Sequence, residues 1–229
     1  VEQANRLFTG VVSMSVMAAV LLAHFRRPLR KDLVRLAWGL VLGVLAQIII
    51  GGIVVLTGLN PYANMAHFLV SLVLVANAFV LYRRSGDQPS TYFRTGHVRI
   101  VTAIRLVVIS SALALVTGTV VTATGPHAGD EKAQRFGFDI RMVAWLHADA
   151  VIVLLGVSLA LLVLSEISPE TKRRVKIFFA ATLGQGLVGY AQYVLGLPEL
   201  LVIVHVLGST LVWIASWRIW LSITTAERT

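Results

Sequence analysis

Three histidines stand inside long apolar stretches of this chain: His67, His147 and His205, each six to seven residues from one end of its stretch. An imidazole surrounded by lipid requires a polar partner. Two chemistries meet that need, a hydrogen bond to a neighbouring helix or coordination of a metal. At 1.5 Å of rise per residue all three lie roughly 10 Å below the same surface, in one layer. Three separate segments presenting histidine at one depth favour ligation, so His67, His147 and His205 are read as iron or other metal ligands. Facing helices with one histidine each form a bis-histidine cage for a haem, and His147 with His205 fits that pattern. Zinc would call for additional Cys, His or carboxylate ligands close by.

The segments that position these residues carry a shared frame. Gln47 to His67 reads QIIIGGIVVLTGLNPYANMAH, and Gln185 to His205 reads QGLVGYAQYVLGLPELLVIVH. Gln47/Gln185, Gly51/Gly189, Gly58/Gly196, Leu59/Leu197 and His67/His205 fall at identical offsets. Two copies of one helix-turn-helix unit account for this frame. Gly189 leaves one helix face bare, either for a flat macrocycle or for close helix packing.

Composition sets the surroundings. Of 229 residues 57% are hydrophobic and 14% charged, with mean hydropathy +0.80, which identifies an all-α polytopic membrane protein. Cysteine is absent, which excludes disulfides, iron–sulfur clusters and thiol chemistry for these residues. A crossing helix needs about 20 apolar residues, and seven stretches qualify, near 5–25, 34–58, 62–82, 100–124, 142–164, 175–196 and 199–222. The net charge of +9 gathers in alternate connections, at Arg26–Arg35, Arg83–Arg99 and Lys172–Lys176. Basic loops are retained on the cytoplasmic side, so Val1 is expected outside and the C-terminus inside. Both repeat units then share one orientation, as in a parallel duplication. The division expected is an N-terminal half-bundle over 1–85, a cytoplasmic linker over 86–99 and a four-helix bundle over 100–229. The first half would be the pseudo-symmetric partner of the second with its first helix, preceding Val1, missing.

His24 and His97 sit beside arginines at helix edges as interfacial, solvated groups. The 125–141 loop brings His127, Asp130, Lys132, Arg135 and Arg141 above the second-half site, either as cations for haem propionates or as an ordinary loop of mixed charge. At the start of the first helix, where a counterpart of His147 is sought, the chain reads Val1-Glu2-Gln3-Ala4-Asn5-Arg6 and offers no histidine. Glu2 shares a helix face with Asn5, either as a group that moves protons or steadies a developing cation or as a solvated helix-start acid. Asp149 is an intramembrane carboxylate on a different face of the helix from His147.

These residues carry a resemblance. Glu2-x-x-Asn5-Arg6-Leu7, GGIVVLTGL (51–59) followed by His67, TGTVVTATGPHAGD (117–130), LHAD (146–149) and GLPELLVIVH (196–205) are similar to the haem A synthase family, actinobacterial members above all, over essentially the whole chain. The resemblance implies eight helices in two four-helix halves and an oxidoreductase that turns the C8 methyl of haem O into the formyl group of haem A. By the same resemblance His147 and His205 would hold a haem b cofactor. His67 would face the substrate haem, with Glu2 taking part in the reaction. Many members have histidine where Asn5 stands. The surrounding lipid bilayer, haem O and haem A are the partners implied, with haem O synthase and terminal-oxidase assembly proteins as protein partners; nothing calls for nucleic acid. The rival functions are a quinol-linked b-type membrane cytochrome, which would need four strong ligands for two fixed haems, and a haem-binding delivery protein.

Overall fold

The computed structural model describes residues 2–86, 92–94, 98–126, 133–164 and 167–226, with backbone alone for 2–6, 92–94 and 224–226. Glu2, Asn5, His97, His127, Asp130 and Lys132 therefore lie outside the described side chains. Among the described residues seven helices make up the fold: α1 (Glu2–Phe25), α2 (Lys31–Leu56), α3 (Pro61–Ser85), α4 (Val98–Thr124), α5 (Ile140–Val163), α6 (Pro169–Val194) and α7 (Glu199–Trp220). A three-residue antiparallel ladder joins β1 (Tyr92–Arg94) to β2 (Thr224–Ala226), with Phe93 opposite Thr225.

Six of the seven helices are long and apolar enough to cross a membrane, and the chain is a multi-pass membrane protein. The seventh, α6, reads as a span over 175–196 by its apolar run, yet falls short of the other six in apolarity. Its first turns carry Glu170, Lys172, Arg173, Arg174 and Lys176, and Gln185 and Gln192 interrupt the rest. Ser168 caps this helix by accepting from Thr171 N at 3.2 Å, with Pro169 at its first position. Hydrogen bonds from Arg173 and then Arg174 hold the Glu170 carboxyl down at about 2. Exposed pairs of this kind contribute little to stability; they let a charged helix start sit in water while its later turns join the bundle.

Helices α4, α5, α6 and α7 pack in a closed ring, each on the next and α7 back on α4. Their core is continuous: Ile104 and Val107 of α4, Leu154 and Leu161 of α5, Val175 and Phe178 of α6, and Ile219 of α7 are all fully buried. Helices α1, α2 and α3 pack in order, with α3 also touching α4 and α7. The α2–α3 pair is close because Gly39 and Gly43 admit Asn77 and Leu74 where a Cβ would collide. Asn77 Nδ2 also donates to the Leu36 carbonyl at 3.0 Å. Between the two groups of helices, Trp213 of α7 is buried against Leu72 and Ala76 of α3 and donates its indole N–H to the Leu72 carbonyl at 2.9 Å.

Adding 138 to the bounds of α1 and α2 gives those of α5 and α6, and the first residue of α3 becomes the first of α7. The turns between the paired helices have the same conformation. Gly58 and Leu59 have φ of 61° and 63°, and Gly196 and Leu197 have φ of 73° and 62°. Leu59 N donates to Val54 O at 2.8 Å and Leu197 N to Gln192 O at 2.8 Å, the six-to-one bond of a Schellman ending. Glycine adopts the left-handed region freely, but a leucine there costs roughly 1–2 kcal/mol. Both turns therefore carry the same strain at the same place. Asn60 then starts α3 by accepting from Tyr62 N at 3.0 Å ahead of Pro61, while α7 starts on Pro198 without a side-chain cap.

Candidate haem-binding site

His67, His147 and His205 follow the first residues of α3, α5 and α7 by six, seven and six positions. Each is partly buried, and each meets a glycine on a neighbouring helix. A Cβ built on Gly51 of α2 would lie 3.2 Å from Cε1 of His67. One on Gly189 of α6 would lie 3.2 Å from Cε1 of His205, and one on Gly118 of α4 would lie 3.1 Å from Cε1 of His147. The bare face of Gly189 therefore receives an imidazole edge.

His147 and His205 come together. Their ring centroids are 6.4 Å apart with the planes at 85°. With metal–nitrogen bonds of ~2 Å, this separation leaves room for a metal that the two rings would hold between them. Nδ1 of His147 sits 3.1 Å from Thr117 Oγ1, and Nδ1 of His205 is buried with no hydrogen-bond partner among the described residues. Among those residues no group of three or more His, Cys, Asp or Glu side chains gathers as a metal-binding cluster. The donor set is two imidazoles, which suits a porphyrin that brings its own four nitrogens and leaves zinc undersupplied. The residues present fit a haem.

His67 has separate surroundings. Gln47, one turn from Gly51 on α2, donates its amide N–H to the His67 carbonyl at 3.0 Å and to Ser71 Oγ. Nδ1 of His67 and Oε1 of Gln47 are buried without partners among the described residues. In the second pair the matching Gln185 lies directly on Gly208 of α7, and its Oε1 is likewise buried and unpaired. Nothing places a second histidine in the turn of α1 that corresponds to His147: the shift of 138 positions points to Thr9, one turn beyond Asn5. His24 donates Nδ1–H to the Val20 carbonyl at 2.8 Å on an exposed face, edge-on to Trp38, in keeping with an interfacial role. Asp149 is exposed on the outer face of α5. Arg135 turns back to the Pro126 carbonyl.

Sequence reading missed Thr117 and Gly118. Both fall in the stretch TGTVVTATGPHAGD, but only the packing of α4 on α5 reveals that they touch His147.

Fold and site together define a helical multi-pass membrane protein with a histidine pair inside one four-helix ring. The particular family follows from comparison: the model of COX15-CtaA, the cytochrome oxidase assembly proteins, matches residues 1–217, and the chain belongs to that family of haem A synthases. No curated protein and no solved structure matches the chain.

Proposed function

We propose that this chain oxidises the C8 methyl of haem O to the formyl group of haem A, with a haem b held between His147 and His205. The family supports a role in cytochrome oxidase assembly, and the facing histidine pair, 6.4 Å between ring centres, is the observation that carries the reading further. Bound there, the haem would supply one-electron transfer. A group ligated on both sides stays with the protein, so α5 and α7 act as a fixed mount.

The substrate haem belongs to the α1–α3 side. His67 is a mid-helix histidine there, and its ring and Gly51 repeat the arrangement of His205 and Gly189. Neither Asn5 nor Thr9 offers an imidazole from α1. A substrate gripped by a single strong ligand can leave once it has reacted, which a product destined for an oxidase must do. Glu2 is the carboxylate for taking up protons or steadying positive charge at the methyl. The two groups of helices are read as duplicated halves, with the basic connections at the cytoplasmic face. In this reading 1–85 is the substrate half and 100–229 the cofactor half.

The test is direct. Membranes carrying the chain are incubated with haem O, and the extracted haems are separated by chromatography. Haem A should appear, and the purified protein should show a low-spin b-type absorption band. The band without haem A would favour a b-type electron carrier and overturn the enzyme.

A further inference from the structure

We infer that Thr117 and Gly118, consecutive on α4, are positioning residues that set the tautomer and the placement of the His147 ring; the inference rests on the haem b reading above. The Thr117 hydroxyl lies 3.0 Å from both the Leu113 and the Ala114 carbonyl oxygens, to which it donates its single proton. Its remaining contact, 3.1 Å to Nδ1 of His147, therefore runs the other way: Nδ1–H donates and the Thr117 oxygen accepts. Protonated Nδ1 leaves Nε2 as the nitrogen with a free lone pair. Thr117 is itself buried, and its oxygen is fixed by the helix backbone rather than by a flexible side chain. The next residue limits the ring sterically, because the position a Gly118 Cβ would take is 3.1 Å from Cε1 and 3.4 Å from Nδ1 of His147.

The arrangement is one-sided. Nδ1 of His205 is buried with no such acceptor among the described residues, although Gly189 limits its Cε1 in the same way. The two axial imidazoles would thus differ: one donates a hydrogen bond to a fixed hydroxyl and the other does not. A donated hydrogen bond from the distal ring nitrogen raises the basicity of a ligating histidine. More basic ligation stabilises the oxidised metal over the reduced one. Thr117 therefore lowers the midpoint potential of the haem.

The experiment measures midpoint potential and electron paramagnetic resonance of the b-type haem in the purified full chain. Thr117→Val keeps the shape and removes the hydroxyl acceptor, leaving the backbone of Ala114 as the other hydrogen-bond partner of the His147 ring; Thr117→Ser restores the hydroxyl. We expect Thr117→Val to raise the potential by about the equivalent of a tenfold change in the oxidised-to-reduced balance, ~59 mV for one electron, and Thr117→Ser to stay with the parent. Gly118→Ala should shift the low-spin resonance signal, while Gly156→Ala, whose added methyl meets nothing within 4 Å, should not. Equal potentials for parent and Thr117→Val, with haem bound in both, overturn the inference and leave the enzyme reading standing. Should Thr117→Val not accumulate, nuclear double resonance on the parent decides: an exchangeable, hydrogen-bonded Nδ1 proton unique to one axial imidazole supports the inference, and two equivalent imidazoles overturn it. A parent protein that binds no b-type haem overturns both.

Discussion

Replacing Gly189 by alanine adds one methyl at a place where the room can be measured. Its Cβ would stand 3.2 Å from Cε1 of His205, short of the ordinary contact range that begins at 3.4 Å, so the ring must yield by a few tenths of an ångström. Overpacking of a well-filled site costs ~1–3 kcal/mol, and a single edge contact so near the ordinary limit belongs at the low end, about 1 kcal/mol. Alanine recovers up to ~1 kcal/mol through its better helix propensity. The fold should therefore keep its stability. Metal–ligand distances tolerate only about ±0.2 Å, so the same displacement falls on haem affinity, with an expected loss of roughly tenfold, ~1.4 kcal/mol. The assay is the haem-to-protein ratio followed through dilution in detergent, beside a thermal melt. Gly186→Ala is the control, because nothing lies within 4 Å of its added methyl. If Gly189→Ala and Gly186→Ala release haem at the same rate, the steric reasoning is refuted.

His147→Ala and His205→Ala should each remove the low-spin b-type band, with haem affinity falling by at least ~100-fold, as read from the absorption of purified protein. His67→Ala should retain that band and its midpoint potential yet give no haem A from haem O; unchanged haem A output would reverse the assignment of the substrate side. Trp213→Phe should lose about 0.5–1.5 kcal/mol with the indole hydrogen bond to Leu72, and Trp213→Ala ~3–5 kcal/mol with the buried ring. Both would appear as lowered melting temperatures in detergent.

The helices were legible because an apolar run long enough to cross a bilayer has few alternatives, and the observed bounds stay close to those runs. The largest difference is at α6, which begins at Pro169 instead of 175. Apolarity starts late there, and the start is marked by Ser168 and Pro169, a capping signal that hydropathy does not register. Matching offsets in the two histidine-bearing segments foretold a common turn, and Leu59 and Leu197 both adopt the left-handed conformation. The offsets of the three histidines from their helix starts were readable from residue counts. Their neighbours were not: Thr117 and His147 are thirty positions apart, and their contact depends on the rotation of α4 against α5. Gly189 was open to two readings, and its bare face meets the ring of His205. The β1–β2 ladder joins segments more than a hundred residues apart and leaves no trace in local pattern.

The twin turns at 57–61 and 195–199 fix more than a change of direction. Each clamps the height and azimuth of the histidine that follows by backbone geometry alone. One residue inserted there would swing that imidazole by roughly 100° and move it 1.5 Å along the axis. The connections at the opposite, basic ends lead into α2, α4 and α6, which carry none of these three histidines. Length variation among natural homologues should therefore collect at the basic ends, and the two turns should keep their spacing even where their side chains drift.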